Sequence, residues 1–225
     1  MTDREKKPAF PGVLASLLGF VLLWAAVTDA WGYSELLGLN KGSYAYAYFS
    51  RLVWVAPAAW LIFRYGGCLR YGRPGLFSRP KLNKSLAAVL AASAVFALTG
   101  MFVRYHWFRI NRAVHLPLEV IKLALVGIVE ETVFRGWGFN ALCGVVSDKK
   151  AVFHSTLCFV LLHWPAYLIK LCRFGAFDLS AWLMQSLTVA VWGVICCALL
   201  KKSRTLWNPI IAHALYDVLY VILVE

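Results

Sequence analysis

The sequence predicts an all-α protein: a polytopic bundle of about seven transmembrane helices that makes a single integral membrane domain of residues 1–225. Hydrophobic residues make up 61% of the chain and charged residues only 15%, whereas a soluble domain is about 45–50% apolar. Mean hydropathy is +0.67. Uncharged runs also occur that are long enough to cross a bilayer, which needs about 20 residues. These observations exclude an ordinary soluble domain.

Three predicted spans are uncharged throughout: Pro8–Thr28, Ser85–Val103 and Leu179–Leu200. Four more contain polar residues: Tyr44–Phe63, His115–Ser147, Ala151–Leu168 and Leu206–Val224. The predicted count is therefore seven. Six or eight spans stay open as alternatives, because the second and fourth spans have short uncharged cores.

The distribution of positive charge predicts the orientation of the bundle. With a cytoplasmic N-terminus, fourteen lysines and arginines lie in the inner connections and six in the outer ones. The positive-inside rule therefore places the N-terminus inside and the C-terminus outside. Topology and anionic membrane lipids account for the net charge of +12, so no nucleic-acid partner is expected. Short loops and the lack of a targeting extension indicate a prokaryotic cytoplasmic membrane.

Several conspicuous residues have a simpler structural interpretation. The six cysteines show neither metal-site spacing nor an obvious pairing scheme and are expected to pack in the helices. Aromatic residues near span ends, such as Trp107 and Tyr167, fit the interfacial belts of a membrane protein. Arg51 and Lys122 are expected to reach the headgroups or to pair with a neighbour, as Lys122 can with Glu119.

Glu130, Glu131 and Arg135 lie in the otherwise apolar segment VGIVEETVFRGWGF. The two acids fall about 18–20 Å along their helix from its outer end, where one charge costs about 3 kcal/mol. Glu131 and Arg135 are four residues apart and share a helix face, so they are predicted to pair. Glu130 is rotated about 100° from Glu131 and has no local cation. It is the candidate general base.

Two further pairs of residues, each with a histidine, occur at helical spacing in later spans. Phe159 and His163 are four residues apart in CFVLLHW, and His213 and Asp217 are four apart in NPIIAHALYDVL. A lone membrane histidine often makes only an interhelical hydrogen bond. Three polar clusters on antiparallel helices reach overlapping depths, however, and we expect them to meet in one cavity near the midplane or slightly cytoplasmic of it.

The three clusters resemble a known set of motifs. EETVFR, FVLLH and HALYD are similar, in order, to EExxxR, FxxxH and HxxxN/D of the CAAX prenyl endopeptidase-like family, also called ABI or CPBP, of intramembrane glutamic proteases. The resemblance covers the motif-bearing core 116–224, whereas the first three spans match only in being hydrophobic.

The resemblance implies roles for four catalytic residues. Glu130 would be the base that activates water and His163 would help to hold that water. His213 and Asp217 would line the side that binds the oxyanion. Where the family has asparagine or aspartate, this chain has Asp217, and an ionised carboxylate cannot donate a hydrogen bond to the oxyanion. It is therefore expected to orient His213 or to stay protonated.

The resemblance also implies supporting residues and a reaction without a metal or cofactor. Glu131 and Arg135 would be a supporting ion pair, and Phe159 would pack beside the site. Glutamate, histidine and aspartate can ligate zinc, but the sequence contains no HExxH motif. The residues themselves fit peptide hydrolysis, which needs held water, a base and donors at the carbonyl oxygen.

The leading hypothesis is an intramembrane endopeptidase that cuts a peptide or a lipidated peptide. Eukaryotic members of the resembled family remove three residues after a prenylated cysteine, and bacterial members are linked to peptide maturation, bacteriocin immunity and protein sorting. One alternative is a non-catalytic binding or immunity protein that retains the motif residues. A small proton-coupled transporter is another, although no pair of broken-helix repeats is visible. The sequence predicts neither the substrate nor the oligomeric state.

Overall fold

A computed structural model describes residues 7–36, 44–110 and 116–224, with backbone alone for 28–36 and 44–46. His115, where the fourth predicted span begins, lies outside the described residues, as do Arg4, Lys6, Lys41 and Arg112 among the counted charges. The elements, in chain order, are α1 Phe10–Leu36, α2 Tyr44–Tyr65, α3 Arg73–Leu76, α4 Lys84–Tyr105, α5 Leu116–Glu131, a π-helical segment Thr132–Phe139, α6 Asn140–Leu142, α7 Asp148–Leu162, α8 Pro165–Phe174, α9 Leu179–Ser203 and α10 Trp207–Leu223.

All regular elements of the described residues are helical, which confirms the predicted all-α class. Four helical segments are long and apolar enough to cross a membrane: Phe10–Val27, Lys84–Tyr105, Asp148–Phe174 and Leu179–Ser203. A fifth apolar helix, Trp207–Leu223, is shorter. The count of seven spans therefore stays a prediction.

The predicted fifth span, Ala151–Leu168, is not one helix. It divides into α7 and α8 at His163 and Trp164, since Pro165 begins a new helix. Proline has no N–H to continue the preceding hydrogen-bond ladder and fits the first turn of a helix. His163 consequently lies at the end of α7, where the backbone turns.

One end of the bundle gathers most of the basic residues, and we call it the basic end; it comprises the connections 66–83, 143–147 and 204–206. Hydrogen bonds join these connections to each other and to the helices they link. The bonds are Leu206 N–H to Leu76 O (2.8 Å), Thr205 Oγ1 to Ser78 O (2.5 Å), Lys81 N–H to Asn208 Oδ1 (2.9 Å) and Tyr71 N–H to Asn140 Oδ1 (2.8 Å). The other end, with the connections 106–110 and 175–178, is called the open end.

The π-helical segment lies in the middle of a continuous helical run from Leu116 to Leu142, and all eight of its residues are buried. Its glycines lie where other helices come close. A Cβ atom on Gly136 would lie 3.1 Å from Ile62 Cδ1, and one on Gly138 would lie 2.6 Å from Leu17 Cδ2. Trp137 Nε1 donates to Ser16 Oγ at 2.8 Å. The wide turn is therefore fixed against both α1 and α2.

Close backbone packing between α5 and α10 brings the first and the last of the three motifs together. A Cβ atom on Gly127 of α5 would lie 3.1 Å from the backbone nitrogen of Ala214 on α10. Small residues at such crossings let two membrane helices approach each other. As a result, the last turn of α5, with Glu130 and Glu131, faces the turn of α10 that carries His213.

Candidate active site

Glu131 and Arg135 form an ion pair in the centre of the bundle, and neither has exposed surface. Arg135 Nη1 donates to Glu131 Oε1 at 3.1 Å. The guanidinium carbon also lies 4.2 Å from the centroid of the Phe159 ring, within the range of a cation–π contact. The positive charge is thus held by a carboxylate and by an aromatic face.

His213 is bonded to the same carboxylate oxygen. Its Nδ1 lies 2.8 Å from Glu131 Oε1, and an ionised carboxylate only accepts hydrogen bonds, so Nδ1 carries the proton. Glu131 therefore fixes the orientation of an imidazole on another helix in addition to pairing with Arg135. Helical spacing predicts the Glu131–Arg135 pair but carries no signal for this interhelical bond.

Two further carboxylates face the other nitrogen of His213. Nε2 lies 3.8 Å from Glu130 Oε2 and 3.6 Å from Asp217 Oδ2. Both distances exceed a hydrogen bond of about 2.7–3.2 Å. The side chains of Glu130 and Asp217 are 12% and 21% exposed, against 0% for Glu131. These two side chains therefore keep some exposed surface, although Glu130 Oε2 itself is buried.

His163 approaches from the end of α7. Its Nδ1 lies 2.9 Å from the backbone oxygen of Phe159, and since a carbonyl oxygen only accepts, Nδ1 is the donor. The Phe159 ring packs edge-on against both histidines, with centroid distances of 5.1 Å to His163 and 6.0 Å to His213. The FxxxH pair therefore helps to fix the ring orientation of His163.

The histidines border a cavity of about 550 Å³, which we call the site cavity. Residues of α4, α7, α8, α9 and α10 line it, among them His163, His213, Asp217, Phe159, Tyr167 and Gln185. Glu130 is not a lining residue and is placed next to the cavity by its proximity to His213 Nε2. Tyr167, interpreted from the sequence as an interfacial aromatic, also lines the cavity.

Some residues that contact the site could not be recognised as site residues from the sequence. Trp192 of α9 lies nearly parallel to the His213 ring, with centroids 6.3 Å apart and an interplanar angle of 13°. The thiols of Cys196 and Cys197 border the Glu131–Arg135 pair. Trp192 and Cys196 share a face by their spacing of four. Because α9 is apolar on all sides, that face cannot be distinguished in the sequence.

The residue types around His213 raise the question of a metal ion. Among the residues that the structure describes, no group of three or more histidine, cysteine, aspartate or glutamate side chains has an arrangement that could hold one. The contacts of His213 Nδ1 and Arg135 Nη1 also occupy Glu131 Oε1.

Comparison with protein families gives one match, to the family described as type II CAAX prenyl endopeptidase Rce1-like, over residues 112–219. The matched region contains all three motif clusters. No curated protein and no solved structure matches the chain. Together with the long apolar helices, the match identifies an integral membrane protein related to proteases. Residues 112–219, just under half of the chain, are thus similar to the CAAX prenyl endopeptidase-like family.

Proposed function

We propose that the protein is an intramembrane endopeptidase in which Glu130 activates a water molecule for attack on a peptide bond. The family match supports a hydrolase. The observation that carries the proposal is the position of His213: Nε2 faces Glu130 and Asp217, while His163 lines the same cavity. His163, His213 and Asp217 thus line one cavity inside the bundle, with Glu130 beside it.

Glu130 is the acid that suits the role of base. Glu131 pairs with Arg135 and His213 through Oε1 and its side chain has no exposed surface, whereas the Glu130 side chain is 12% exposed and no described residue donates a hydrogen bond to its Oε2. A base has to reach the proton that it removes, directly or through one water molecule. A water molecule beside Glu130 Oε2 would meet that requirement.

His163 is proposed to position this water. Because Nδ1 donates to the Phe159 carbonyl, the neutral ring keeps a lone pair on Nε2. That nitrogen can accept a hydrogen bond from water and so direct an oxygen lone pair toward the substrate carbonyl. Water held in this way is already oriented for attack.

His213 is proposed to stabilise the negative charge that develops on the carbonyl oxygen. Since its Nδ1–H is committed to Glu131, the ring can donate from Nε2 only as an imidazolium. Glu130 and Asp217 at 3.8 and 3.6 Å supply counter-charges for that form. Asp217 thereby positions and balances His213, and need not donate a hydrogen bond itself.

The proposed reaction conserves atoms and protons. The water oxygen bonds to the carbonyl carbon as Glu130 takes one water proton. The carbon–nitrogen bond then breaks, and Glu130 returns the proton to the departing amine, giving a new carboxylate end and a new amine end. The substrate is a peptide or a lipidated peptide, presented to a site surrounded by membrane lipids.

The test is the Glu130→Gln variant, which keeps the side-chain shape and removes the base. Cells carrying the natural protein and the variant are compared for secreted and membrane-bound peptides. We expect peptides cut by the natural protein to remain uncut with Glu130→Gln. Glu119→Gln, which alters a carboxylate near the start of α5 paired with Lys122, is the matched control and should retain cleavage.

Undiminished cleavage by Glu130→Gln would contradict Glu130 as the base. Peptides that are identical in cells with and without the natural protein would instead support the non-catalytic immunity protein. Proton-coupled flux through the purified protein in proteoliposomes would support the transporter instead.

A further inference from the structure

The site is sealed on its side toward the basic end. Below the histidines lie Glu131, Arg135, Phe134 and Ser155, each with 0% exposure. Ser155 Oγ donates to the Phe134 carbonyl at 2.9 Å and ties α7 to the π-helical segment. The residues from Glu131 to Cys143 are all buried without a break. The described residues between the site and the basic end thus form a packed layer.

Toward the open end the site is accessible. The site cavity adjoins a second cavity of about 560 Å³, and the two share Tyr167, Ala181 and Gln185. The second cavity reaches the α8–α9 connection, where it is lined by Lys170, Ala176, Phe177 and Asp178. We call this second cavity the mouth. It places polar and charged side chains along a path from the bundle surface to His163.

The direction of the helices agrees with this arrangement. α5 runs toward the basic end, so that Glu130 precedes the sealed segment, and α7 starts at the basic end and reaches His163 at its far end. α9 runs back from the open end, and Gln185 in its second turn borders both cavities. The mouth is therefore on the side opposite the basic end.

The two ends differ strongly in positive charge. Near the open end, the described lysines and arginines are Arg104, Arg109, Lys170 and Arg173. Near the basic end they are Lys7, Arg64, Arg70, Arg73, Arg79, Lys81, Lys84, Lys149, Lys150, Lys201, Lys202 and Arg204. Connections rich in lysine and arginine stay in the cytoplasm. The basic end is therefore the cytoplasmic one.

The packed layer toward the basic end and the distribution of positive charge together indicate the side of the membrane from which the substrate enters. We propose that the site takes its substrate from the non-cytoplasmic face of the membrane, so that the substrate class is peptide segments displayed at or beyond the outer surface. The inference rests on the proposed function, because it takes the site cavity to be where the peptide is cut. Cytoplasmic chains would face the sealed end of the bundle.

The lining of the mouth suits an unfolded peptide. Gln185 offers both a donor and an acceptor, and the Tyr167 hydroxyl offers the same in one group. Lys170 and Asp178 carry opposite charges at the rim. Such groups can replace the water that solvates a peptide backbone as it moves toward His163. The peptide would thus keep hydrogen-bonding partners along its path.

The test determines from which side of the membrane a thiol at the mouth can be modified. Gln185→Cys and Leu82→Cys are each made in full-length protein that also carries Cys68→Ser and Cys172→Ser, which remove the half-buried and the exposed native thiol. Leu82 is 90% exposed in the basic-end connection and serves as the matched control. A membrane-impermeant maleimide is added to intact bacterial cells, and again after lysis.

We expect intact cells to show modified Gln185→Cys and unmodified Leu82→Cys, with both modified after lysis. Modification of Gln185→Cys only after lysis, or equal modification of both in intact cells, would overturn the proposal. The background protein without either new cysteine gives the residual signal from the buried thiols.

A second measurement links access to activity. Maleimide added outside should block peptide cleavage by Gln185→Cys and leave cleavage by Leu82→Cys unchanged. Cleavage by Gln185→Cys that persists after complete modification would overturn the role of the mouth. If the background protein cuts no peptide at all, the proposed function fails, whereas the labelling still reports the side on which the mouth opens.

Discussion

Arg135 and His213 converge on a single atom, Glu131 Oε1, at 3.1 and 2.8 Å. The three groups come from the π-helical segment, α10 and the end of α5, and all are at least nine-tenths buried. One negative charge therefore balances a guanidinium and also fixes an imidazole. Loss of that charge would affect the stability of the bundle and the geometry of the site together.

Glu131→Gln should be strongly destabilising. The amide keeps the size of the side chain but leaves Arg135 as a buried charge without a counter-ion, which costs about 3–5 kcal/mol. The free energy of unfolding in detergent, followed by circular dichroism during chemical denaturation, measures the loss. Glu119→Gln is the matched control on the same helix. Glu119 is buried, but its partner Lys122 is 29% exposed and can stay hydrated without the carboxylate, so the loss there should be smaller than for Glu131→Gln. Equal losses in the two variants would contradict the structural importance of Glu131.

Asp217→Asn should retain most activity. The amide preserves shape beside His213 Nε2, which lies 3.6 Å from Asp217 Oδ2, and adds a hydrogen-bond donor near the proposed oxyanion. We expect kcat to fall by less than about tenfold, whereas Asp217→Leu should lower it by about 10²–10³ because no polar group remains. Peptide cleavage by purified protein measures both. Similar activity in the two variants would show that Asp217 does not act on His213.

Phe159→Leu should weaken both the fold and the site. The substitution removes the aromatic face 4.2 Å from the Arg135 guanidinium and leaves part of a buried volume empty. Loss of a desolvated cation–π contact and the resulting cavity should cost about 2–4 kcal/mol. Phe153→Leu on the same helix, at a side chain that is 61% exposed, should change stability by less than about 0.5 kcal/mol. Chemical denaturation of both variants in detergent compares them, and equal losses would contradict the role given to the Phe159 ring.

Gly193→Ala should disturb the contact between α9 and α7. A Cβ atom there would lie 2.7 Å from Thr156 Cγ2 and 3.0 Å from its Oγ1, and such overpacking costs about 1–3 kcal/mol. Adding Thr156→Ala should recover most of the loss, because it removes both atoms. Gly19→Ala has nothing within 4 Å of the new atom and should be neutral or stabilising by up to about 1 kcal/mol. Melting temperatures of the single and double variants test this, and a double variant no more stable than Gly193→Ala would contradict the clash.

The sequence predicts well those features that follow from local periodicity. The predicted spans Ser85–Val103 and Leu179–Leu200 correspond to α4 and α9 with small differences at their ends. The spacing of four in Glu131–Arg135 and in His213–Asp217 also brings these side chains together. In each case the information lies within one turn of a single helix.

Contacts between helices are harder to predict from the sequence. The bond from His213 to Glu131 depends on the close approach of α5 and α10 at Gly127, and a glycine in a membrane span gives no partner or direction. The position of Trp192 over His213 depends likewise on the rotation of α9. Packing of whole helices determines these contacts, and hydropathy reports only that the helices are apolar.

The π-helical segment Thr132–Phe139 makes the exact chain length between Glu131 and Asn140 important. If the segment became an α-helix of the same length, everything after it would turn by about 100° relative to Glu130 and Glu131, because a π turn contains about one residue more than an α turn. Trp137 and Asn140 would then lose their partners Ser16 and Tyr71. A relative with an ordinary α-helix here would keep the same orientation after the segment only with one residue fewer.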